Sequence, residues 1–415
     1  MRVAFVGLGA MGLPMARNLA KVDGVALTLF DLSPDRLAQA AGIGTVAETI
    51  GSALADADVV FSVLPADQHV RSVAADVAAH GHAGQLYVDF STISPHTIEA
   101  VAADLARVGI ETVGIALTRS TAAAQAGTLA LFVGGSADAL ARLRPLLDAM
   151  ATDVLPTESI GAAKSMKIVN NMVVACLDIL ACETLVLGHR LGHNAKDVIS
   201  AMAGHGADSW ALTNHIVKYV LPDDLGPGRF STRYMAKDVA LCADLARSVD
   251  QPAPFTGLAQ SFYRGVSAHG HGDDYHMIVI RWLEQGAAID APVTDEQSSS
   301  GDDTTLVTLA EAAAAVQTLV TVEALTLATC GGLALRRAAD YLEKGSGGSA
   351  SVRAVLAADP AGLAWDLATM AGQLDAACAL AQSVSVPAVM FESARHVARM
   401  HRLRAATVDD LWAAP

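Results

Sequence analysis

The sequence predicts an α/β domain built on a parallel sheet, followed by an all-α domain and a second, degenerate copy of that all-α domain. Three observations carry this. Over roughly the first 160 residues, short β-rich runs alternate with amphipathic helical stretches, the pattern of βαβ units. From Ala163 onward strand signals vanish and helical periodicity runs to the C-terminus. Within that helical half, two stretches resemble each other in the same order at nearly the same offset.

The predicted strands are Arg2–Val6, Ala26–Asp31, Val59–Leu64, Gln85–Phe90, Thr112–Leu117, Leu129–Gly134 and Thr152–Leu155. Between the first strand and the first helix lies GLGAMG, Gly7 to Gly12. A glycine triplet alone is only a tight turn. Followed by a helix and by Asp31 at the end of the second strand, it fits a dinucleotide fingerprint. Gly7 permits the turn, Gly9 lets backbone approach a pyrophosphate, and Gly12 allows close packing of helix on strand, with Ala10 and Met11 completing the loop. The helix N-terminus then offers partial positive charge to the phosphates. Asp31 accepts from ribose hydroxyls and repels a 2′-phosphate, which predicts NAD in preference to NADP. Arg36 falls on the following helix and is discounted as a phosphate clamp.

The domain boundaries expected are 1–161 for the dinucleotide domain, 162–288 for the first all-α domain, 289–303 for a linker and 304–415 for the second. The linker reading rests on the acidic, Ser-rich stretch from Asp290 to Thr305, whose composition buries little and predicts flexibility. The repeat rests on two alignments. ETLVLGHRLG (Glu183 to Gly192) matches EALTLATCGG (Glu323 to Gly332) at a shift of 140, and LARSVDQPAP (Leu245 to Pro254) matches LAQSVSVPAV (Leu380 to Val389) at 135.

Composition narrows the function classes. A formal net charge of −15 argues against nucleic-acid or anionic-membrane partners, while leaving room for a small anionic ligand. The five cysteines lie in apolar helical patterns without a C-x-x-C pair and read as reduced core residues of a cytoplasmic protein. The opening MRVAFVGLG runs straight into a strand with no signal-peptide pattern ahead of it. Glu311 and Glu323 interrupt the apolar run near Leu309–Leu335, against a membrane span.

The string GLGAMGLPMARNLAK resembles the opening of the β-hydroxyacid dehydrogenase family, which includes 3-hydroxyisobutyrate, tartronate semialdehyde and 6-phosphogluconate-type dehydrogenases. SVLPADQHV (Ser62 to Val70) and VDFSTISP (Val88 to Pro95) resemble its next two cofactor-edge segments, placing Leu64, Pro65 and Thr92 beside the dinucleotide. GAAKSMKIVNN (Gly161 to Asn171) resembles its catalytic helix, MAKDVALCADLA (Met235 to Ala246) its second Lys-Asp motif, and HGHGDDYHMI (His269 to Ile278) the end of its helical domain. The resemblance covers roughly residues 1 to 285 and implies a Rossmann domain, a long interdomain helix and a helical substrate domain.

Two lysines sit on the catalytic-helix segment. Lys167 and Asn171 are spaced i, i+4 on one face, and Lys164 shares that broad face, so periodicity leaves the choice open. The family pattern G-x-G-x-x-x-K-x-x-x-N selects Lys167 as catalytic and Asn171 as its partner, with Ala163 standing in for the second glycine. Hydride transfer builds charge on the carbonyl oxygen, which needs a proton donor; the reverse reaction needs an acceptor. A lysine serves both if burial lowers its pKa. The resemblance further implies that Lys237 approaches nicotinamide or substrate, that Asp238 orients it, and that Trp210 lines the substrate pocket.

After the fifth strand the family reads D-A-P-V-S-G-G where this chain reads GIALTRS, Gly114 to Ser120. Thr118 keeps a hydroxyl, while Arg119 and Ser120 replace glycines, closer to the Gly-Arg-Thr-Ser of sulfolactaldehyde reductases. A guanidinium there is expected to grip a carboxylate, sulfonate or phosphate. The histidines give no metal motif: His189 and His193 lack the Glu of H-E-x-x-H, and His269, His271 and His276 lack a cysteine set.

The leading expectation is an NAD-dependent oxidoreductase for a small acidic hydroxy compound and its semialdehyde. Imine reduction is disfavoured by a lysine at 167, and an NAD-binding sensor by the intact Lys167–Asn171 pair. Under the repeat shifts Lys167, Asn171, Lys237 and Asp238 fall on Val307, Glu311, Gly372 and Gln373, so the second copy is expected to lack an active site. It is expected to pack internally where a partner's domain sits in single-unit relatives, giving a monomer with an internal pseudo-dimer, or else a homodimer.

Overall fold

The computed structural model describes residues 1–293, 298–358 and 365–402. The first compact unit comprises Met1–Ile168 with Cys330–Leu333, and the second Val169–Thr329 with Ala334–Pro415. The boundary between these units, Ile168/Val169, falls inside a continuous helix, Ile160–Arg190. No helix-breaking proline or cap interrupts that segment, so the fold change from sheet to helices happens without a break in the backbone.

The first unit is an eight-stranded sheet: β1 (Arg2–Val6), β2 (Ala26–Phe30), β3 (Thr45–Val46), β4 (Val59–Ser62), β5 (Leu86–Asp89), β6 (Glu111–Thr118), β7 (Leu129–Gly134) and β8 (Ala151–Pro156). Their spatial order is β3-β2-β1-β4-β5-β6-β7-β8. β4 and β7 are buried along their whole length and β1 and β6 beyond their first residue, as expected for a sheet covered on both faces. The seven predicted strands are present. The two exposed residues of β3 offer no hydrophobic period to read.

One pairing departs from the parallel expectation: β7 runs antiparallel to β6. Their connection holds only one short helix, Thr121–Ala126. A parallel return needs a crossover of about a dozen residues or more, so this chain reverses instead.

The second unit is all helical apart from isolated bridges. Its two halves exchange equivalent contacts. Trp210 N donates to Gly348 O at 2.8 Å and Ala350 N to Asp208 O at 2.8 Å, pairs related by the 140-residue shift, with Ser209 and Ser349 bridged between them. Glu183, on the long helix, accepts from Met390 N and Phe391 N at 3.0 and 3.2 Å. Its counterpart Glu323, on helix Asp303–Cys330, accepts from Phe255 N and Thr256 N at 3.0 and 2.8 Å. Each carboxylate thus meets the unpaired amides at the N-terminus of a helix from the other half, where the backbone dipole favours it. Residue i meeting j while the equivalent of j meets the equivalent of i is the signature of a two-fold interface.

Burial pushes both carboxyls up to about 7, against the lowering effect of the amides they accept. A carboxyl raised in the folded state holds its proton there at pH values where the unfolded chain has released it. Stability from these groups is therefore full below the ordinary carboxyl range and is lost as pH rises through about 7. The thermal midpoint is expected to fall between pH 5 and 8, and Glu183→Gln with Glu323→Gln to flatten that slope. An unchanged slope in a calorimetric pH series contradicts this.

Within the expected linker, Ser299, Ser300 and Gly301 are anchored rather than free. Asn194 N donates to Ser299 Oγ at 3.0 Å, Ser299 Oγ donates to Asp197, and Ser300 N and Gly301 N donate to Gly192 O. One side chain, Ser299, and the backbone amides of Ser300 and Gly301 supply those bonds; residues 294–297 lie outside the described residues. Of the cysteines, Cys176, Cys182, Cys242 and Cys378 are buried, but Cys330 is exposed, at the end of its helix. Helices Ile160–Arg190 and Asp303–Cys330 are long and apolar enough to cross a membrane. Their most apolar windows are 94% and 67% buried by protein, as in core helices.

Candidate active site

The glycine loop has the geometry its spacing implies. At Gly7 (φ +94°) a Cβ would lie 2.3 Å from Val63 O, and at Gly12 only 1.9 Å from Gly7 O, so both positions exclude side chains. At Gly9 the nearest atom to such a Cβ is 3.8 Å away. No protein group demands glycine there; the space suits a pyrophosphate. Asp31 is buried, accepting from Leu8 N at 2.6 Å and Ser33 N at 2.8 Å, which fixes its carboxylate beside the loop. Ala10 is exposed and Met11 half-buried ahead of the helix Gly12–Leu19. Leu64 N donates to Ser91 Oγ at 2.8 Å, tying the loops after β4 and β5; Pro65 and Thr92 lie on those same two loops. These residues fit a nicotinamide dinucleotide.

Arg36 reaches the glycine loop, although it falls on the following helix in sequence. Its guanidinium lies 3.6 Å from Asp31 and 3.8 Å from the Cβ position of Gly9. One helical turn carries a long side chain back over the loop, which linear distance from Asp31 concealed.

The two lysines separate clearly. Lys164 is fully buried and donates to Asp89 Oδ2 at 2.7 Å, Asp89 O at 2.9 Å, Ser91 O at 2.8 Å and Ile115 O at 2.7 Å. It pins the first turns of the long helix to the ends of β5 and β6, a structural role. Lys167, one turn on, is half-buried. One turn further, Asn171 is buried; its Nδ2 donates to Asp238 Oδ2 at 2.5 Å, and Lys237 Nζ lies 3.0 Å from Asp238 Oδ1. Three site residues predicted from separate motifs thus converge. At the positions that the expected repeat aligns with Asp238 and Asn171, Gln373 Nε2 donates to Glu311 Oε2 at 3.4 Å.

At the end of β6, Thr118 Oγ1 is buried with no hydrogen-bond partner among the described residues, a hydroxyl suited to a ligand. Ser120 accepts from Ala123 N, capping helix Thr121–Ala126. Arg119 departs from the expectation of a free anion grip. Its guanidinium donates to Asp153 Oδ2 at 2.6 Å, Thr152 Oγ1 at 2.9 Å and Thr128 O at 2.7 Å, so its charge is already met by β8 and the start of β7. Its φ of +80° is left-handed, which explains glycine as the family's choice at this position.

Trp210 stands edge-on to His215, ring centroids 4.8 Å apart, at the junction of the two halves. Sequence reasoning missed a buried trio. Asp178 accepts from His215 Nδ1 at 2.8 Å and lies 3.3 Å from His276 Nδ1. Burial raises the Asp178 carboxyl and holds His276 well below the usual imidazole range. The three lie far apart in sequence on different elements, and spacing offered no signal. Three other histidines named above have their own contacts: His193 with Thr305 at 2.7 Å, His271 with Asp274 at 2.8 Å, and His269 with the ring of Trp282.

Comparison with known proteins decides the family. Residues 2–161 match the NAD binding domain of 6-phosphogluconate dehydrogenase, and residues 161–283 the NAD-binding domain of NADP-dependent 3-hydroxyisobutyrate dehydrogenase. The NAD-dependent L-serine dehydrogenase of Pseudomonas aeruginosa is 34% identical over 292 residues, 68% of this chain and 98% of that protein. The chain belongs to the β-hydroxyacid dehydrogenase family. It is a nicotinamide-dependent oxidoreductase acting on hydroxyl groups. A solved Mycobacterium tuberculosis 3-hydroxyisobutyrate dehydrogenase with L-serine covers 68% of this chain and 98% of its own, at TM-score 0.65 and 33% identity. The 6-phosphogluconate dehydrogenase of Plasmodium falciparum covers 96% of this chain and 92% of its own at TM-score 0.67; at 14% identity this is a likeness of fold alone.

Proposed function

We propose that this dehydrogenase interconverts a small 3-hydroxy acid and its semialdehyde with NAD, Lys167 serving as general acid/base. The observation that carries the reading is the Asn171–Asp238–Lys237 group, fixed one helical turn from Lys167. Substrates named for relatives support the class: L-serine, 3-hydroxyisobutyrate and 2-(hydroxymethyl)glutarate share a primary hydroxyl on the carbon β to a carboxylate. In the oxidative direction neutral Lys167 takes the hydroxyl proton, and in the reductive direction it returns one. Asn171 is oriented by Asp238 to offer its second amide proton to the substrate oxygen. The bound nicotinamide accepts or supplies the hydride. From the family resemblance, Thr118 and Ser120 are assigned to the substrate carboxylate, and Trp210 and Lys237 to substrate as well; Arg119, already paired, adds a backbone position rather than a free charge. A sulfonate or phosphate aldehyde is the second reading, now weaker because the guanidinium that favoured it faces Asp153.

Asp31 supports a preference for NAD, and Arg36 beside it softens the exclusion of a 2′-phosphate. With one 3-hydroxy acid as substrate, kcat/KM is expected to be higher for NAD than for NADP. Arg36→Ala is expected to widen the ratio by about tenfold, the effect of roughly one charged hydrogen bond. A wild-type preference for NADP contradicts the assignment.

The second helical copy occupies, within one chain, the place of a partner's domain. The paired contacts at Ser209/Ser349 and Glu183/Glu323 support a duplicated domain and an internal pseudo-dimer. The reduced cysteines and acidic surface are in keeping with a cytoplasmic enzyme.

A further inference from the structure

Among the described residues the pseudo-two-fold is broken on the candidate catalytic helix, at Asn170. The loop between helices Leu335–Lys344 and Ala350–Ala357 reads GSGGS, Gly345 to Ser349. Asn170, fully buried, donates through Nδ2 to Ser346 Oγ at 2.8 Å and accepts from Gly347 N at 3.0 Å through Oδ1. The same Nδ2 donates to Asn171 Oδ1 at 3.2 Å. Asn171 Nδ2 goes on to Asp238, and Asp238 to Lys237. One continuous polar chain therefore runs from the second copy's loop into the groups assigned to substrate.

The glycines have a steric reason. A Cβ at Gly345 would come 2.6 Å from Asn170 Oδ1, and one at Gly347 3.2 Å from it, so the backbone must be bare to seat the amide. On the other side of the pseudo-two-fold the Asn–Ser pair is not repeated: Ser346 corresponds to Gly206 and Asn170 to Ala310. There Gly206 O accepts instead from Gln317 Nε2 at 3.2 Å, one turn or more away from the position of Asn170. The loop contact is made on both sides; the latch through Asn170 lies on the side next to the chemistry.

We infer that the Gly345–Gly347 loop of the non-catalytic copy is a positioning element for the reaction, holding Asn170 so that Asn171 presents a fixed amide orientation. Asn171 Oδ1 is occupied by Asn170, which leaves its Nδ2 as the group turned to Asp238 and substrate. Without the latch, Asn170 loses a partner on each amide atom, and its hold on the Asn171 amide loosens.

The inference rests on the proposed roles of Lys167 and Asn171, and its test separates the two. In the full-length chain, Ser346→Ala and Gly345→Ala are expected each to lower kcat about tenfold, the order of one hydrogen bond lost from a buried network. The dissociation constant for NADH and the circular dichroism spectrum stay unchanged, and Ser346→Thr restores kcat. A purely structural loop moves the thermal midpoint without moving kcat at temperatures where the protein is folded. If Ser346→Ala and Gly345→Ala both keep kcat within twofold while Lys167→Ala is inactive, the positioning role is wrong and the catalytic reading stands. If Lys167→Ala is itself active, the catalytic reading fails, and with it the basis for the latch.

Discussion

Lys167→Ala lowers kcat by about 10²–10⁴-fold, the range of a lost general acid/base, with dinucleotide affinity unchanged. The side chain is half-buried on the long helix and holds no place in the buried Lys164–Asp89 pair that anchors that helix in its own unit. Alanine is a good helix former, so the helix itself tolerates the change. Steady-state turnover together with NADH fluorescence titration reads both quantities. Loss of turnover with loss of NADH binding instead points to a folding defect, and wild-type turnover refutes the role.

Lys164→Ala, three residues earlier, gives the opposite result. It strips the partner from a fully buried Asp89 carboxylate and leaves the Ser91 and Ile115 carbonyls without their donor. Breaking such a pair by removing one side costs about 3–5 kcal/mol. Denaturant unfolding of the first unit is expected to shift accordingly, while the protein that remains folded keeps its NAD-linked turnover. A variant with wild-type stability shows that the four acceptors around Lys164 Nζ contribute little. The pair of substitutions separates two lysines that helical periodicity alone left equivalent.

What the sequence made legible follows from range. Strands, the glycine loop and Asp31 are local signals: period, turn geometry and a residue at the end of a strand. Glu183 and Glu323, which the proposed repeat aligns, were legible as a pair because they carry equal duties at helix N-termini. Lys167 over Lys164 required the family pattern, since both sit on one broad helix face and only burial tells them apart.

What was not legible depends on where long side chains end. Arg36 turns back to Asp31, and Arg119 turns to Asp153, which lies 34 residues away on the next strand but one. The antiparallel β7 was hidden in a connection too short for a crossover, and the Asp178–His215–His276 trio in residues brought together only by helix packing. The polar stretch before helix Asp303–Cys330 read as a linker because composition reports what a segment cannot bury. It does not report which backbone groups the segment will bind.

The most direct test of the central claim is NADH formation by the purified full-length enzyme. The series is L-serine, 3-hydroxyisobutyrate and 2-(hydroxymethyl)glutarate, with 1-propanol as a primary alcohol lacking the carboxylate. Turnover is expected with at least one of the three acids and none with the alcohol. NADH binding without turnover of any β-hydroxy acid contradicts that expectation and leaves a nicotinamide-binding protein whose Lys167 does other work.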